Sequence, residues 1–178
     1  MLFTRKGDDG TSGLFGTKDR LSKDSPLFEA LGTVDELNSL LGVCFAIAHT
    51  QDTGTISLAS ILHQIQEHLF IVQAELAGAD KTISHEHVVW LEGVSGDIEA
   101  LIGSPKTFLI AGGTELSGLL DFTRAVSRRA ERRVISAHHQ KLISSETSIY
   151  LNRLSSVLYA LARYAAWRAG AHEQAPSY

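Results

Sequence analysis

The chain has 178 residues, 44% of them apolar and 20% charged, with a formal net charge of −4. That size and mix fits one soluble globular domain, with a core large enough to stand without disulfide or metal staples. The acidic balance argues against general nucleic-acid binding, and the lone Cys44 cannot form an internal disulfide.

No apolar stretch follows Met1-Leu2-Phe3-Thr4-Arg5, so a secretory leader is not expected. No uninterrupted apolar run approaches the roughly 18 to 20 residues of a membrane span, and a reduced cytoplasmic setting is the expectation. Residues 1–25 are rich in Gly, Asp, Thr, Ser and Lys with little periodicity, and read as an ordered loop or an open arm. Pro26 sits where a first helical turn tolerates proline. Leu27, Ala30, Leu31, Val34, Leu37, Leu41 and Phe45 then recur at helical spacing, predicting a helix to about residue 50. Within it Cys44 reads as a packed core thiol. A polar break at 51–55 precedes a second helix through Ile56, Ile61, Leu62, Ile65, Leu69, Ile71, Val72, Leu76 and Ala77, ending near Gly78.

A third amphipathic segment, Ser84 to Ile102, is interrupted by Gly93 and Gly96 and closed by Gly103-Ser104-Pro105. Phe108-Leu109-Ile110-Ala111-Gly112-Gly113 is a short apolar run into a turn. Thr114 to about His138 forms a fourth helix and Ser145 to about Gly170 a fifth, with Thr114 or Ser117 and Ser144 or Ser145 as N-caps. Nothing reads as a strand, and no repeat or linker divides the chain. The expectation is an all-α five-helix bundle in a single domain over 1–178. It comprises a glycine-rich N-terminal loop (1–25), the bundle (26–170) and a tail (171–178) that is either a frayed end or a docking strip.

Four segments are candidates for chemistry. In Thr4-Arg5-Lys6-Gly7-Asp8-Asp9-Gly10-Thr11-Ser12-Gly13, glycines free backbone N–H groups to face an anion, and hydroxyls and cations complete a polyphosphate cradle. The pattern is not a Walker A loop, and a solvated arm has the same composition. In Arg124-Ala125-Val126-Ser127-Arg128-Arg129-Ala130-Glu131-Arg132-Arg133, helical spacing puts 124, 128, 131 and 132 on one face, with Arg129 and Arg133 in a second row. Five arginines and no lysine suit bidentate recognition of phosphate; a surface row paired with acids is the bland alternative. In Tyr150-Leu151-Asn152-Arg153-Leu154-Ser155-Ser156, Asn152 lies beside the apolar stripe, placed to cap a ligand or to bond a neighbouring helix. In Gly32-Thr33-Val34-Asp35-Glu36-Leu37-Asn38-Ser39, Gly32 suggests close approach of a backbone or ligand, and Asp35 is either an arginine's partner or a solvent-facing carboxylate. The eight histidines, among them His63, His68, His85, His87, His138 and His139, give no metal-ligand spacing and read as surface residues.

In this order the segments resemble the PduO-type ATP:cob(I)alamin adenosyltransferases. The resemblance rests on Thr4 to Thr11, Lys23, Glu29 to Ser39, Phe108, Gly112-Gly113, Ser127 to Val134 and Tyr150 to Ser155, and it spans nearly the whole chain. It implies a homotrimer of five-helix bundles with active sites between subunits, acting on ATP, Mg²⁺ and cobalamin. An electron-donating reductase and a B12-dependent acceptor enzyme are the implied partners, with no nucleic acid and no membrane.

By the same resemblance, Thr4, Arg5, Lys6, Gly7, Ser12, Gly13 and Lys23 hold ATP from one subunit. Arg128, Arg129, Ala130, Glu131, Arg132 and Asn152 hold it from the neighbour. Asp35 pairs with Arg124 across the interface, and Phe108 packs on the corrin's lower face and displaces its lower ligand. Asp35, Arg124, Arg128, Glu131 and Phe108 are the expected catalytic set; no protein metal site is implied. Ala111 in place of Pro, and Ser25 and Ser156 in place of Asp, depart from the family pattern. Two rivals are a non-catalytic ATP- or cobalamin-binding module, and a structural bundle with a basic docking face.

Overall fold

The computed structural model describes residues 3, 5–51, 55–138 and 143–178. Thr4 and His139 therefore lie outside the described residues. Five helices carry the chain: α1 (Pro26–Gln51), α2 (Leu58–Ala77), α3 (His85–Ile102), α4 (Glu115–Ala137) and α5 (Ser145–Arg168). Before them, β1 (Thr11–Gly13) and β2 (Arg20–Ser22) pair antiparallel, with Thr11 opposite Ser22 and Gly13 opposite Arg20. This small hairpin corrects the expectation of an arm without strands. Three-residue strands of Thr, Ser, Gly and Arg are too short and too polar to leave a period-two signature.

The apolar stripes read from the sequence are the ones that pack. α1 lies against α2 and α4, and α5 lies against α4 and α3, so α4 and α5 form the middle of the bundle. Leu37, Leu41, Leu62, Ile65, Leu69, Leu91, Ile98, Leu120, Tyr150 and Tyr164 are fully enclosed. By length and composition α1 is apolar enough to cross a membrane. Its stripe Leu27, Ala30, Val34, Leu37, Leu41, Cys44 and Ala48 is instead buried in this core, Cys44 facing Thr123 on α4.

The helix ends follow their local chemistry. Ser25 accepts from Phe28 N–H and so caps α1. Ser57 caps α2, and Gly78 ends it in the left-handed region at φ 92°, donating back to Ala74 and Glu75. Ile56 thus precedes the second helix rather than belonging to it. Thr114 and Ser117 cap each other reciprocally at the start of α4. Ser144 caps α5, and the buried Glu75 accepts from Ser144 N–H at 2.5 Å and from Thr147 Oγ1 at 2.5 Å, placing a carboxylate at a helix N-terminus.

Three further expectations are corrected. α3 runs unbroken through Gly93 and Gly96, because the burial of Val88, Leu91, Val94 and Ile98 outweighs a glycine cost of about 1 kcal/mol each. Gly32 has nothing within 4 Å of the position a Cβ would take, so it serves no close helix contact inside the chain. His68 is not a surface histidine: it is 4% exposed, wedged edge-on among His87, Trp90 and Tyr150. It accepts from Gln64 at 2.9 Å and bonds Tyr150 Oη at 3.1 Å through Nδ1. Burial, helped by the neighbouring His87, pushes its pKa down to about 4.

Candidate active site

The arm is shaped by two cations gripping carbonyl oxygens. Lys23 Nζ donates to Gly7 O at 2.7 Å while its own backbone N–H donates to Gly10 O at 2.9 Å. A Cβ on Gly7 would stand 2.9 Å from that ammonium and 3.2 Å from Thr11 O, so a side chain there would push the lysine head aside. Arg20 does more than sequence reading allowed. Its guanidinium donates to Lys6 O and, at 2.9 Å, to Thr11 O, while Nε donates to Thr11 Oγ1 at 2.7 Å. Asp9 accepts from Thr11 N–H at 3.0 Å and Thr11 Oγ1 at 2.7 Å, and these bonds hold its carboxyl below the usual aspartate value. Arg5 takes φ 60°, a left-handed turn that carries its guanidinium over the Phe3 ring. Ser12 and Gly13 lie in β1, so the expected ATP-holding segment is a clamped turn leading into a hairpin.

On α4 the two arginine rows behave differently. Arg129 pairs with Glu36 at 2.5 Å and Arg133 approaches Glu29 at 3.9 Å, both reaching across to α1. Among the described residues Arg128 and Arg132 have no ion-pair partner, and the Arg124 Nε is buried without an acceptor. Ala130 is fully buried and sets the face from which these side chains radiate. Glu131 accepts from Asn152 Nδ2 at 3.0 Å, Asn152 Oδ1 accepts from Arg153 at 2.8 Å, and Arg153 Nε donates to Glu92 at 2.9 Å. Asn152 thus bonds a neighbouring helix, through a carboxylate on the arginine row.

Two clefts meet at Arg124. One, of about 900 Å³, is lined by Thr107, Phe108, Ala111, Asp121, Arg124 and Tyr159, among others. The other, of about 350 Å³, takes in Arg124, Arg128, Ser155, Ser156 and Tyr159. Phe108 is 79% exposed at the rim of the first, an aromatic ring with no core to fill. Tyr159 is a residue the sequence reading missed. Its ring lies under the guanidinium groups of Arg124, at 6.0 Å, and Arg163, at 5.0 Å. Ser156, one of the expected departures, lines the smaller cleft.

The structure thus gathers Phe108, Arg124 and Arg128 around adjoining clefts, with Glu131 and Asn152 bonded to each other on the same two helices. It does not bring the arm to them: no described arm residue lines either cleft. Nor does Asp35 meet Arg124 within the chain; its nearest bonded group is Gln73 on α2, at 3.5 Å. Asp121 and Arg163, also unforeseen, form a buried ion pair under Tyr159. The signal available for them was a lone arginine in the apolar run Leu161 to Ala166. Among the described residues no group of three or more His, Cys, Asp or Glu side chains converges as a metal cage.

A helical bundle presenting open guanidinium groups beside a broad cleft rimmed by an exposed aromatic ring is built for a polyanion next to a flat, largely apolar partner. Residues 2–165 match the cobalamin adenosyltransferase family model, and the chain belongs to that family. It is 38% identical to a corrinoid adenosyltransferase of Citrobacter freundii over 169 residues, covering 91% of this chain and 93% of that one. It is 37% identical to the corrinoid adenosyltransferase PduO of Salmonella typhimurium over 169 residues, 91% of this chain, and spans 48% of that longer protein. A variant PduO-type ATP:corrinoid adenosyltransferase from Lactobacillus reuteri, complexed with cobalamin and ATP, superposes with a TM-score of 0.91 at 30% identity, each chain fully covered.

Proposed function

We propose that this chain is an ATP:corrinoid adenosyltransferase: it moves the 5′-deoxyadenosyl group of ATP to the cobalt(I) of a cobalamin and releases triphosphate. The observation that carries the reading is the row of Arg124, Arg128 and Arg132, which have no ion-pair partner among the described residues, set beside the cleft that Phe108 rims, in a chain of this family.

The substrate's cobalt(I) is the nucleophile. Its electron pair forms the Co–C5′ bond as the C5′–O bond breaks, and the leaving triphosphate carries the released pair. No Ser or Cys nucleophile is required, so the buried Cys44 has no part. The work left to the protein is alignment and charge stabilisation. Arg128 and Arg132 neutralise charge growing on the triphosphate, and Glu131, tied to Asn152, orients the row. Ala130 and the neighbouring Arg129 complete that wall. Phe108 packs on the lower face of the corrin, excluding the lower ligand and easing reduction to cobalt(I). Thr4, together with the clamped turn of Arg5, Lys6, Gly7, Ser12, Gly13 and Lys23, holds the nucleotide.

Because the described arm residues and the arginine row line no common cleft within one chain, the site is completed between subunits of a homotrimer. The half-buried Arg124 and the outward Asp35 are the complementary halves of that junction. Mg²⁺ arrives with ATP, held mainly by triphosphate oxygens and water, and no carboxylate cage forms among the described residues. The single catalytic domain comprises arm, bundle and tail. In the cytoplasm a reductase supplies the cobalt(I) electron and a B12-dependent enzyme takes the product.

The test is an anaerobic assay with chemically reduced cobalamin, ATP and Mg²⁺, following the light-sensitive carbon–cobalt product by absorbance. Many turnovers per site are expected. Binding of both substrates without turnover would replace the transferase with a carrier or sensor of cobalamin.

A further inference from the structure

A buried charge cluster adjoins the arginine row, where Arg163 lines the smaller cleft together with Arg124 and Arg128. Arg163 is 3% exposed, and two carboxylates converge on it: Asp121 from α4, and Glu173 from the tail, whose Oε1 stands 2.6 Å from the guanidinium. Tyr159 closes the cluster from one side. A guanidinium cannot shed its proton, so it must be neutralised in place. One carboxylate would suffice for charge; the second adds a like charge beside the first. Burial pushes the Glu173 carboxyl up, Arg163 pulls it down, and Asp121 raises it again. Burying three such groups is costly unless the geometry they fix is needed.

The geometry they fix is that of the Phe108 loop. Beyond α5 the chain turns at Gly170, and the tail runs back over residues 110–113. Ile110 N–H donates to Gln174 O at 2.8 Å, and a Cβ on Gly113 would stand 3.2 Å from Glu173 Cγ. Glu173 is thus held against the core by charge, in ion-pair contact with Arg163 without a hydrogen bond to it, while it and Gln174 lean on the loop two to five residues past Phe108. Asp121 and Tyr159 line the cleft beneath that ring, and Arg163 and Glu173 share with Thr107 and Leu109 a smaller hollow on the loop's other side. One ion cluster ties cleft floor, loop and tail together.

We propose that Glu173, Arg163 and Asp121 are positioning residues that latch the tail onto the Phe108 loop and hold the Phe108 ring over the corrin cleft. This rests on the reading of Phe108 as the wedge on the corrin's lower face. The loop needs such support here: Ala111 takes the place of a proline, so its backbone lacks that local stiffening, and the ring itself has no core contacts to hold it.

The experiment compares Glu173→Ala, Glu173→Gln and Phe108→Ala, each as the full-length protein, in two assays. One starts from cob(II)alamin with a reductant, the other from pre-reduced cob(I)alamin. The fraction of four-coordinate cob(II)alamin formed with ATP present is read by its absorbance and electron paramagnetic resonance.

Phe108→Ala is expected to slow the cob(II)alamin route and to abolish the four-coordinate signal. Glu173→Ala should follow it in kind, about tenfold slower from cob(II)alamin, with the cob(I)alamin route and the KM for ATP within about twofold. Glu173→Gln, which keeps the side chain's length and a hydrogen-bonding head, should recover part of the signal. If Phe108→Ala discriminates between the routes and Glu173→Ala does not, whether by sparing both or by damaging both equally, the latch is refuted while the wedge stands. If Phe108→Ala itself affects both routes alike, the wedge falls and the latch with it.

Discussion

Arg128 and Arg163 carry the same group 35 residues apart in the chain, and the fold puts them to opposite uses. On the outer face of α4, Arg128 stands in solvent beside a cleft, with no acid among the described residues to meet it. Between α4, α5 and the tail, Arg163 is enclosed with two carboxylates and an aromatic ring. Solvation explains the difference. An exposed guanidinium is kept charged by water at little cost, so it can wait for a polyanion and exchange hydration for bidentate bonds when one arrives. A buried guanidinium has no water and must be satisfied permanently by the protein. The open row is suited to binding and the closed cluster to holding shape.

The largest test of that contrast is Arg163→Ala. It leaves Asp121 and Glu173 facing each other in a buried pocket, and should cost about 3 to 5 kcal/mol of stability, read as a lowered urea midpoint. A loss below about 1 kcal/mol would mean that the cluster is wetter and less committed than its burial indicates. Arg128→Ala is the mirror image. Turnover with ATP should fall by about 10²- to 10³-fold, the scale of removing one donor from a developing oxyanion, while the melting temperature stays put. Loss of the helical circular-dichroism signal would instead make Arg128 a structural residue.

His68 extends the comparison to a buried group that can give up its charge. Its folded pKa, about 4, lies below the ordinary 6.5, so between those values the unfolded chain binds more protons than the native one. The stabilisation is fully present above pH 6.5 and is lost as the pH falls towards 4, on the order of 2 to 3 kcal/mol in all. Urea titrations at pH 7 and pH 4.5 should show that loss, and a His68→Gln variant should lose the part of it that His68 contributes. The smallest effect is at the exposed Arg129–Glu36 pair. Glu36→Gln should shift stability by no more than about 0.5 kcal/mol, since water screens the charges. A larger change would show that the second arginine row is structurally coupled to α1.

The helices were legible because burial is periodic: the stripe Leu27, Ala30, Val34, Leu37 and Leu41 repeats with the turn of α1, and Thr114, Ser144 and Gly78 mark ends by chemistry that is local. The break expected at Gly93 and Gly96 failed because propensity is a small term that tertiary packing overrode along α3. The hairpin at Thr11–Gly13 and Arg20–Ser22 was invisible because side chains of Arg20 and Lys23 organise it from outside any repeating pattern. At the site, the Arg124-Arg128-Arg132 face was readable from spacing and residue type alone. The absence of any acid opposite it was not, for the same sequence spacing gave Arg129 and Arg133 partners on α1.

What the sequence determined by itself was the helical architecture, the family, and the presence of a cationic row, a glycine-rich turn and an exposed aromatic loop. Each depends on residues close together in the chain or at a regular interval. Only the tertiary structure decided which arginines are open and which are neutralised, that His68 is buried and uncharged, and that the tail returns to grip the Phe108 loop. Those outcomes depend on groups tens of residues apart meeting in a space from which water is excluded, and no local pattern records how much water a charge will keep.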